Sequence, residues 1–271
     1  MTPLVFSHAN SFGASTYRVL FKALKTRGFA VSAIDQLGHA PRYPVTNNWP
    51  HLVQHLVDFI EVQADQAGGP VYLAGHSLGG FLSAMVASKA PELVRGVVLL
   101  DAPLIGGWRA TALGAAKTTP LYQTFSPASV SRKRRNSWAD KAAVMAHFQH
   151  KKSFTKWDPQ VLQDYVDLGT RDEPSNGENS RVLSFNREIE TAIYNGLPHN
   201  MDALFRRHPI KCPVAFIGGL QSAEIKQVGM ALTEKVCKNR LMMLDGTHLF
   251  PMEKPQATAA AIEAALLNMA A

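Results

Sequence analysis

Six short apolar runs recur along the chain, each followed by a turn and then by residues at helical spacing. They are Leu4 to Ser7, Phe29 to Asp35, Val71 to Gly75, Val97 to Asp101, Val214 to Gly218 and Leu241 to Leu244. An unbroken apolar run suits a strand buried on both faces, because a strand with one wet face would alternate. Strands alternating with helices require crossover connections, which lay the strands parallel and put helices on both sides of the sheet. The stretches between the runs agree. Tyr17, Leu20, Phe21 and Leu24 fall on one helical face with Gly28 as a stop, and Pro50 to Ala67 carries Leu52, Val53, Leu56, Phe59 and Ile60 before Gly68-Gly69. An alanine-rich helix is expected from Pro255 to Met269. With 271 residues, 46% of them hydrophobic and 18% charged, there is material for one large core.

The rhythm breaks between Leu104 and His208, where helical stretches and polar loops appear without a strand-helix pair. The expectation is a core of residues 1–103 and 208–271 with an inserted helical cap, residues 104–207. Charge follows the same division: 15 Lys/Arg against 10 Asp/Glu give the insert +5 of the chain's net +7. Its densest run, Arg132-Lys133-Arg134-Arg135, lacks the interleaved aromatics and glycines of a nucleic-acid module and reads as solvated surface. Trp108, Trp138, Phe148, Phe154 and Trp157 are expected mainly to pack the insert on itself, with an acyl pocket as the other use for them.

One run carries chemistry. Val71-Tyr72-Leu73-Ala74-Gly75-His76-Ser77-Leu78-Gly79-Gly80, followed by Phe81 to Ala90, reads as a strand, a sharp turn and a helix, the setting that a G-x-S-x-G pattern requires. Ser77 sits at the apex. Glycines two before and two after it allow a tight turn without Cβ collisions, and the following helix aims its first amides at developing negative charge. A base near neutral pH is then needed, and His248 in Asp245-Gly246-Thr247-His248 lies just past the last apolar run. Other chemistries fit poorly: His147 and His150 have no acidic or cysteine partners at ligand spacing, and Gly75 to Gly80 lacks the Gly-Lys-Ser/Thr ending of a phosphate loop.

On these motifs the chain resembles α/β-hydrolase fold proteins of the esterase and lipase kind, over nearly all its length except the insert. The matching residues are His8-Ala9-Asn10, Asp35-Gln36-Leu37-Gly38-His39, Gly75 to Gly79 and Gly246-Thr247-His248. The resemblance implies a small, mostly parallel sheet of about six strands that starts at the family's third strand. It also implies oxyanion-hole amides from Asn10 and Leu78, with Ala9 where relatives usually have glycine, and a bracing role for His8. Asp35 and His39 would organise the loop after the second strand. In most relatives the triad acid follows the penultimate strand, where this chain has Ser222 after Gly218-Gly219. Two acids remain: Asp101, which ends the fourth run and is favoured, and Glu224, which would need a shifted loop. Either would hold the imidazole tautomer and stabilise imidazolium.

The implied function is hydrolysis of a carboxylic ester, thioester or lactone through an acyl-Ser77 intermediate, without cofactor or metal. Carbon-carbon bond hydrolysis, lyase chemistry, perhydrolysis and ligand reception with slow turnover occur on similar folds and stay open. A small-molecule acyl substrate is the expected partner, with no nucleic acid; the residues point to no particular oligomeric state. The N-terminus has no cationic region before its apolar run, nowhere do eighteen apolar residues follow one another, and only Cys212 and Cys237 are present. The expectation is therefore a cytoplasmic protein with no membrane span.

Overall fold

The computed structural model describes residues 1–119, 127–175 and 178–270. Six strands form one sheet: β1 (Thr2–Ser7), β2 (Phe29–Ala33), β3 (Val71–His76), β4 (Val94–Leu100), and after the insert, strands Val214–Gly219 and Leu241–Leu244. All neighbouring pairs are parallel, with β3 beside β1 and β1 beside β2, so the chain leaves β2 at one edge and crosses back to the middle. The apolar runs have the cause expected of them. Along β4, Val97 and Leu99 join the core on one face while Val98 and Leu100 join the core on the other, and Leu73 and Ala74 divide the same way in β3. Alternation is present in space but hidden in sequence because both faces are covered.

The flanking helices begin and end where local chemistry dictates. Helix Pro50–Ala67 has proline at its first turn, whose missing N–H has no intrahelical partner in any case, and stops at Gly68 with φ 70°. Helix Leu78–Lys89 is buried along its whole length except Lys89, so it serves as the central pillar behind β3.

Between β4 and strand Val214–Gly219 the described residues form six helices, from Gly107–Ala116 to Met201–Arg207. They also form a three-stranded antiparallel sheet of β5 (Ser137–Trp138), β6 (Thr170–Ser175) and β7 (Glu178–Leu183), which the residue pattern does not reveal. Thr170-Arg171-Asp172-Glu173 has neither alternation nor strong strand formers, and Arg171 to Pro174 are exposed. Trp138, Phe148, Phe154, Trp157 and Tyr165 pack into the same apolar cluster as Leu4 and Phe6, so the insert shares its core with the sheet. Trp108 does not; it is 72% exposed.

The turn after β3 depends on close backbone approach. A Cβ on Gly79 would lie 2.0 Å from the Ser7 carbonyl oxygen, and one on Gly75 would lie 2.2 Å from that of Gly79. These glycines are therefore required by packing. Gly69, by contrast, has nothing within 4 Å of the corresponding position. Gly79→Ala is expected to lower the melting temperature by roughly 4 °C or more, from an overpacking cost of at least about 1–3 kcal/mol, or to prevent folding. Gly69→Ala should leave it within about 2 °C of the parent. Thermal melts of the two variants check this.

Candidate active site

The loops at the carboxyl ends of β3, β4 and the strands Val214–Gly219 and Leu241–Leu244 meet at one cavity, where open α/β sheets present their ligand crevice. Ser77 follows β3 with φ 53° and ψ −113°, a region that side-chain-bearing residues rarely adopt. Its strained backbone is fastened on both sides. The Ser77 amide donates to the Leu100 carbonyl at 2.9 Å, and the Ser77 carbonyl accepts from the amides of Gly80 and Phe81 at 2.9 and 3.1 Å. Leu78 is the first residue of the helix, where backbone N–H groups have no intrahelical acceptor.

Asp101, at the end of β4, is fully buried and also has positive φ, 42°. Its Oδ1 accepts from the Gly219 amide at 2.7 Å, and its Oδ2 accepts from Ser222 Oγ and His248 Nδ1, both at 2.6 Å. These donors hold its carboxyl below the usual range, against burial, which acts in the opposite direction. The structure thus brings His248 to Asp101 as the sequence led us to favour. Glu224 lies in the first turn of helix Ala223–Val228, with Oε2 3.7 Å from His248 Nδ1 and 3.3 Å from Ser222 Oγ. That places it within ion-pair range but not in direct hydrogen bonding to the ring. Burial works to lower the His248 pKa; the Asp101 hydrogen bond and the charges of Glu224 and Asp101 outweigh it and raise the value above 6.5. Ser222, which the sequence marked only as an absent acid, is a donor that holds Asp101 in place.

Ser77, Asp101, Glu224 and His248 border one cavity of about 650 Å³. Its walls are mainly apolar, from Phe81, Ile105, Leu113, Leu197 and Val228, and Trp108 and Arg109 also line it, the Arg109 guanidinium 4.8 Å from the Trp108 ring. Asp101, Glu224 and His248 each present one ligand-capable atom within 4.8 Å of the others. A cation there would have to break the hydrogen bonds that His248 and Ser222 already donate to Asp101.

The loop after β1 is clamped from several directions. Leu37 N–H donates to His8 Nε2 at 2.8 Å, so Nδ1 carries the proton and donates to the Ala9 carbonyl at 2.7 Å. His8 therefore braces this loop. The Asn10 side chain donates to the Glu190 carbonyl at 3.0 Å and accepts from Ser11 N–H at 3.1 Å, while Ser11 Oγ donates to Glu190 Oε1 at 2.5 Å. Glu190 is in turn held by Arg134 Nη1 at 2.8 and 3.0 Å, and Arg134 Nη2 donates to Tyr165 at 3.0 Å. Arg134 was expected among solvated cations, yet its side chain is only 13% exposed. Nothing in Arg132-Lys133-Arg134-Arg135 distinguishes it, because its carboxylate partner lies 56 residues away. His39 accepts from Asn186 N–H at 2.9 Å and sits 3.3 Å from the Leu37 carbonyl, whereas Asp35 contributes its main chain, its carbonyl accepting from Ala14 N–H at 2.8 Å.

The sequence pattern of the alpha/beta hydrolase family matches this chain over residues 4–261. A serine hydrolase-like protein of Dictyostelium discoideum is 23% identical over 90% of this chain and 69% of its own length. Mouse monoglyceride lipase (Mus musculus) is 31% identical over 38% of this chain and 35% of its own length. Among solved structures, an E-2-(acetamidomethylene)succinate hydrolase superposes with a TM-score of 0.70 at 22% identity, covering 98% of this chain and 91% of that one. Among the described residues no helix is long and apolar enough to cross a membrane.

Burial depresses the His8 pKa to about 4 and, aided by the neighbouring His248, that of His76 to about 3. Both rings are neutral in the fold and become protonated in the unfolded chain once the pH drops below about 6.5. Their contribution to stability is therefore present above that pH and is lost as the pH falls toward 4 and 3. The melting temperature should fall over this window, and less steeply in His76→Gln, so that the gap between parent and variant narrows with acidification. A gap independent of pH would contradict the assignment.

Proposed function

The chain belongs to the alpha/beta hydrolase family, and on that premise we propose that it is a serine hydrolase cleaving a carboxylic ester, thioester or lactone. The observation that carries this reading is the 2.6 Å hydrogen bond from His248 to the buried carboxylate of Asp101 beside a cavity shared with Ser77. In the proposed reaction His248 Nε2 takes the Ser77 proton as Oγ adds to the acyl carbon. The amides of Asn10 and Leu78 donate to the resulting oxyanion, the intermediate collapses, and imidazolium returns its proton to the leaving alcohol or thiol. Water, activated by the same imidazole, then releases the acid from acyl-Ser77. Asp101 holds the Nδ1–H tautomer and stabilises imidazolium throughout.

Residues 104–207 act in this reading as a cap over the carboxyl-end loops, and the apolar walls of the cavity suit an acyl chain. The likeness to mouse monoglyceride lipase favours an ester substrate. The two unpaired cysteines, Cys212 and Cys237, fit work in a reducing compartment, the cytoplasm.

Ser77→Ala is expected to lower kcat/KM for an activated ester by roughly 10³-fold or more without changing the melting temperature appreciably. Steady-state kinetics beside a thermal melt check this, and retention of most of the activity would refute the mechanism.

The two acids should separate cleanly. Asp101→Asn is expected to reduce kcat by roughly 10²- to 10⁴-fold, because the imidazole loses its tautomer, whereas Glu224→Gln should cost about tenfold or less. Glu224 instead helps to hold the His248 pKa up, so its neutralisation should move the acidic limb of kcat/KM to lower pH. A pH-rate profile reads both effects, and reversed magnitudes would make Glu224 the acid.

A further inference from the structure

A second set of hydrogen bonds joins the loop after β1 to the loop that carries His248, passing through His76, the residue before Ser77. Ala9 N–H donates to the Tyr17 hydroxyl oxygen at 3.1 Å, the Tyr17 hydroxyl lies 2.8 Å from His76 Nδ1, and His76 Nε2 lies 2.8 Å from the His248 backbone carbonyl. Chemistry fixes the direction of each bond. A carbonyl only accepts, so His76 Nε2 must carry the proton; in a neutral imidazole Nδ1 is then an acceptor, and the Tyr17 hydroxyl must donate to it. The phenol oxygen keeps a lone pair for the Ala9 amide.

The chain is buried up to its last member: His76 is 0% exposed, Tyr17 1% and Ala9 3%, and His248 is partly buried. Burial depresses the His76 pKa to about 3, so the ring stays neutral and the bond order is not reversed near neutral pH. The Tyr17 ring is fixed by Phe6, 4.8 Å away between centroids. Ala9 is held on both sides of its Cα. Its N–H goes to Tyr17, and its C=O, which shares one planar peptide with the Asn10 N–H, is held by His8.

We infer that Tyr17 and His76 are positioning residues that set the spacing between the Asn10 amide and the His248 imidazole. The inference rests on the proposed roles of Ser77, His248 and the Asn10 amide. This chain is a direct polar link between the two loops, which leave β1 and the last strand of the sheet. A misplacement on the order of 1 Å at such groups can cost roughly 10²-fold in rate.

The test uses the full chain and p-nitrophenyl acetate, first establishing turnover that Ser77→Ala abolishes. Tyr17→Phe is then expected to lower kcat by roughly 10- to 100-fold while KM changes less than about threefold. His76→Gln, which retains an N–H donor for the His248 carbonyl, should keep several-fold more activity than His76→Leu. The double variant Tyr17→Phe/His76→Leu should lose little more than the worse single variant, because either substitution breaks the same chain. Folded Tyr17→Phe and His76→Gln proteins with kcat within about twofold of the parent, or fully additive losses, would overturn the inference and leave the Ser77 mechanism standing. Absence of Ser77-dependent turnover in the parent would refute the mechanism itself and this inference with it. Nitrogen-15 NMR of the parent gives a readout independent of variant folding: His76 should be the Nε2–H tautomer, and an Nδ1–H tautomer would overturn the chain.

Discussion

The site depends on backbone meeting backbone at the start of the central helix. Gly79 lies against the end of β1, Gly75 against Gly79, and a Cβ on Gly80 would come within 2.4 Å of that of Ala102. No side chain can be inserted at these contacts, so β1, β3, the residues after β4 and helix Leu78–Lys89 are held together at van der Waals distance. Ser77 is the residue left to absorb the geometry, at φ 53°. Its strained conformation persists because the hydrogen bond it donates to the Leu100 carbonyl and those it accepts from Gly80 and Phe81 fix its peptide groups on both sides.

On that frame the electrostatics are arranged in layers. Asp101 is desolvated, a condition that disfavours its charge, yet three donors aim at it. Both this buried carboxylate and the half-exposed one of Glu224 approach His248 at Nδ1, at 2.6 and 3.7 Å, so two negative charges favour the protonated ring while only Asp101 is in hydrogen-bond range of it. The other side of the site is neutral and rigid. His8 and His76 are imidazoles whose tautomers are fixed by their partners, and they act as braces through backbone groups. The buried Arg134–Glu190 pair ties the same β1 loop to the insert, so the walls of the cavity and the floor of the site share anchors.

Much of this was legible because it is local in sequence. The six strands follow from apolar runs, helix Pro50–Ala67 from its proline and glycine ends, and the Ser77 turn from glycines at fixed offsets. Asp101 was the favoured partner of His248 because it ends a strand, whereas the 3.7 Å approach of Glu224 needed the actual start of helix Ala223–Val228. What escaped is non-local. The β5–β7 sheet is made mostly of polar residues whose pairing is set by tertiary contact, and Glu190 meets Ser11 across 179 positions. His76, buried beside the expected nucleophile, was a visible signal, because a histidine at the end of an otherwise apolar strand needs partners once buried.

The central claim is that Ser77 is the nucleophile of acyl chemistry. Its most direct test is intact-mass and peptide mass spectrometry of the protein after exposure to a fluorophosphonate, which phosphonylates an activated serine far faster than an ordinary one. The account predicts one adduct per chain, on the peptide containing Ser77, and its loss when His248 is replaced by alanine. An unlabelled protein, or an adduct on another residue, would contradict it.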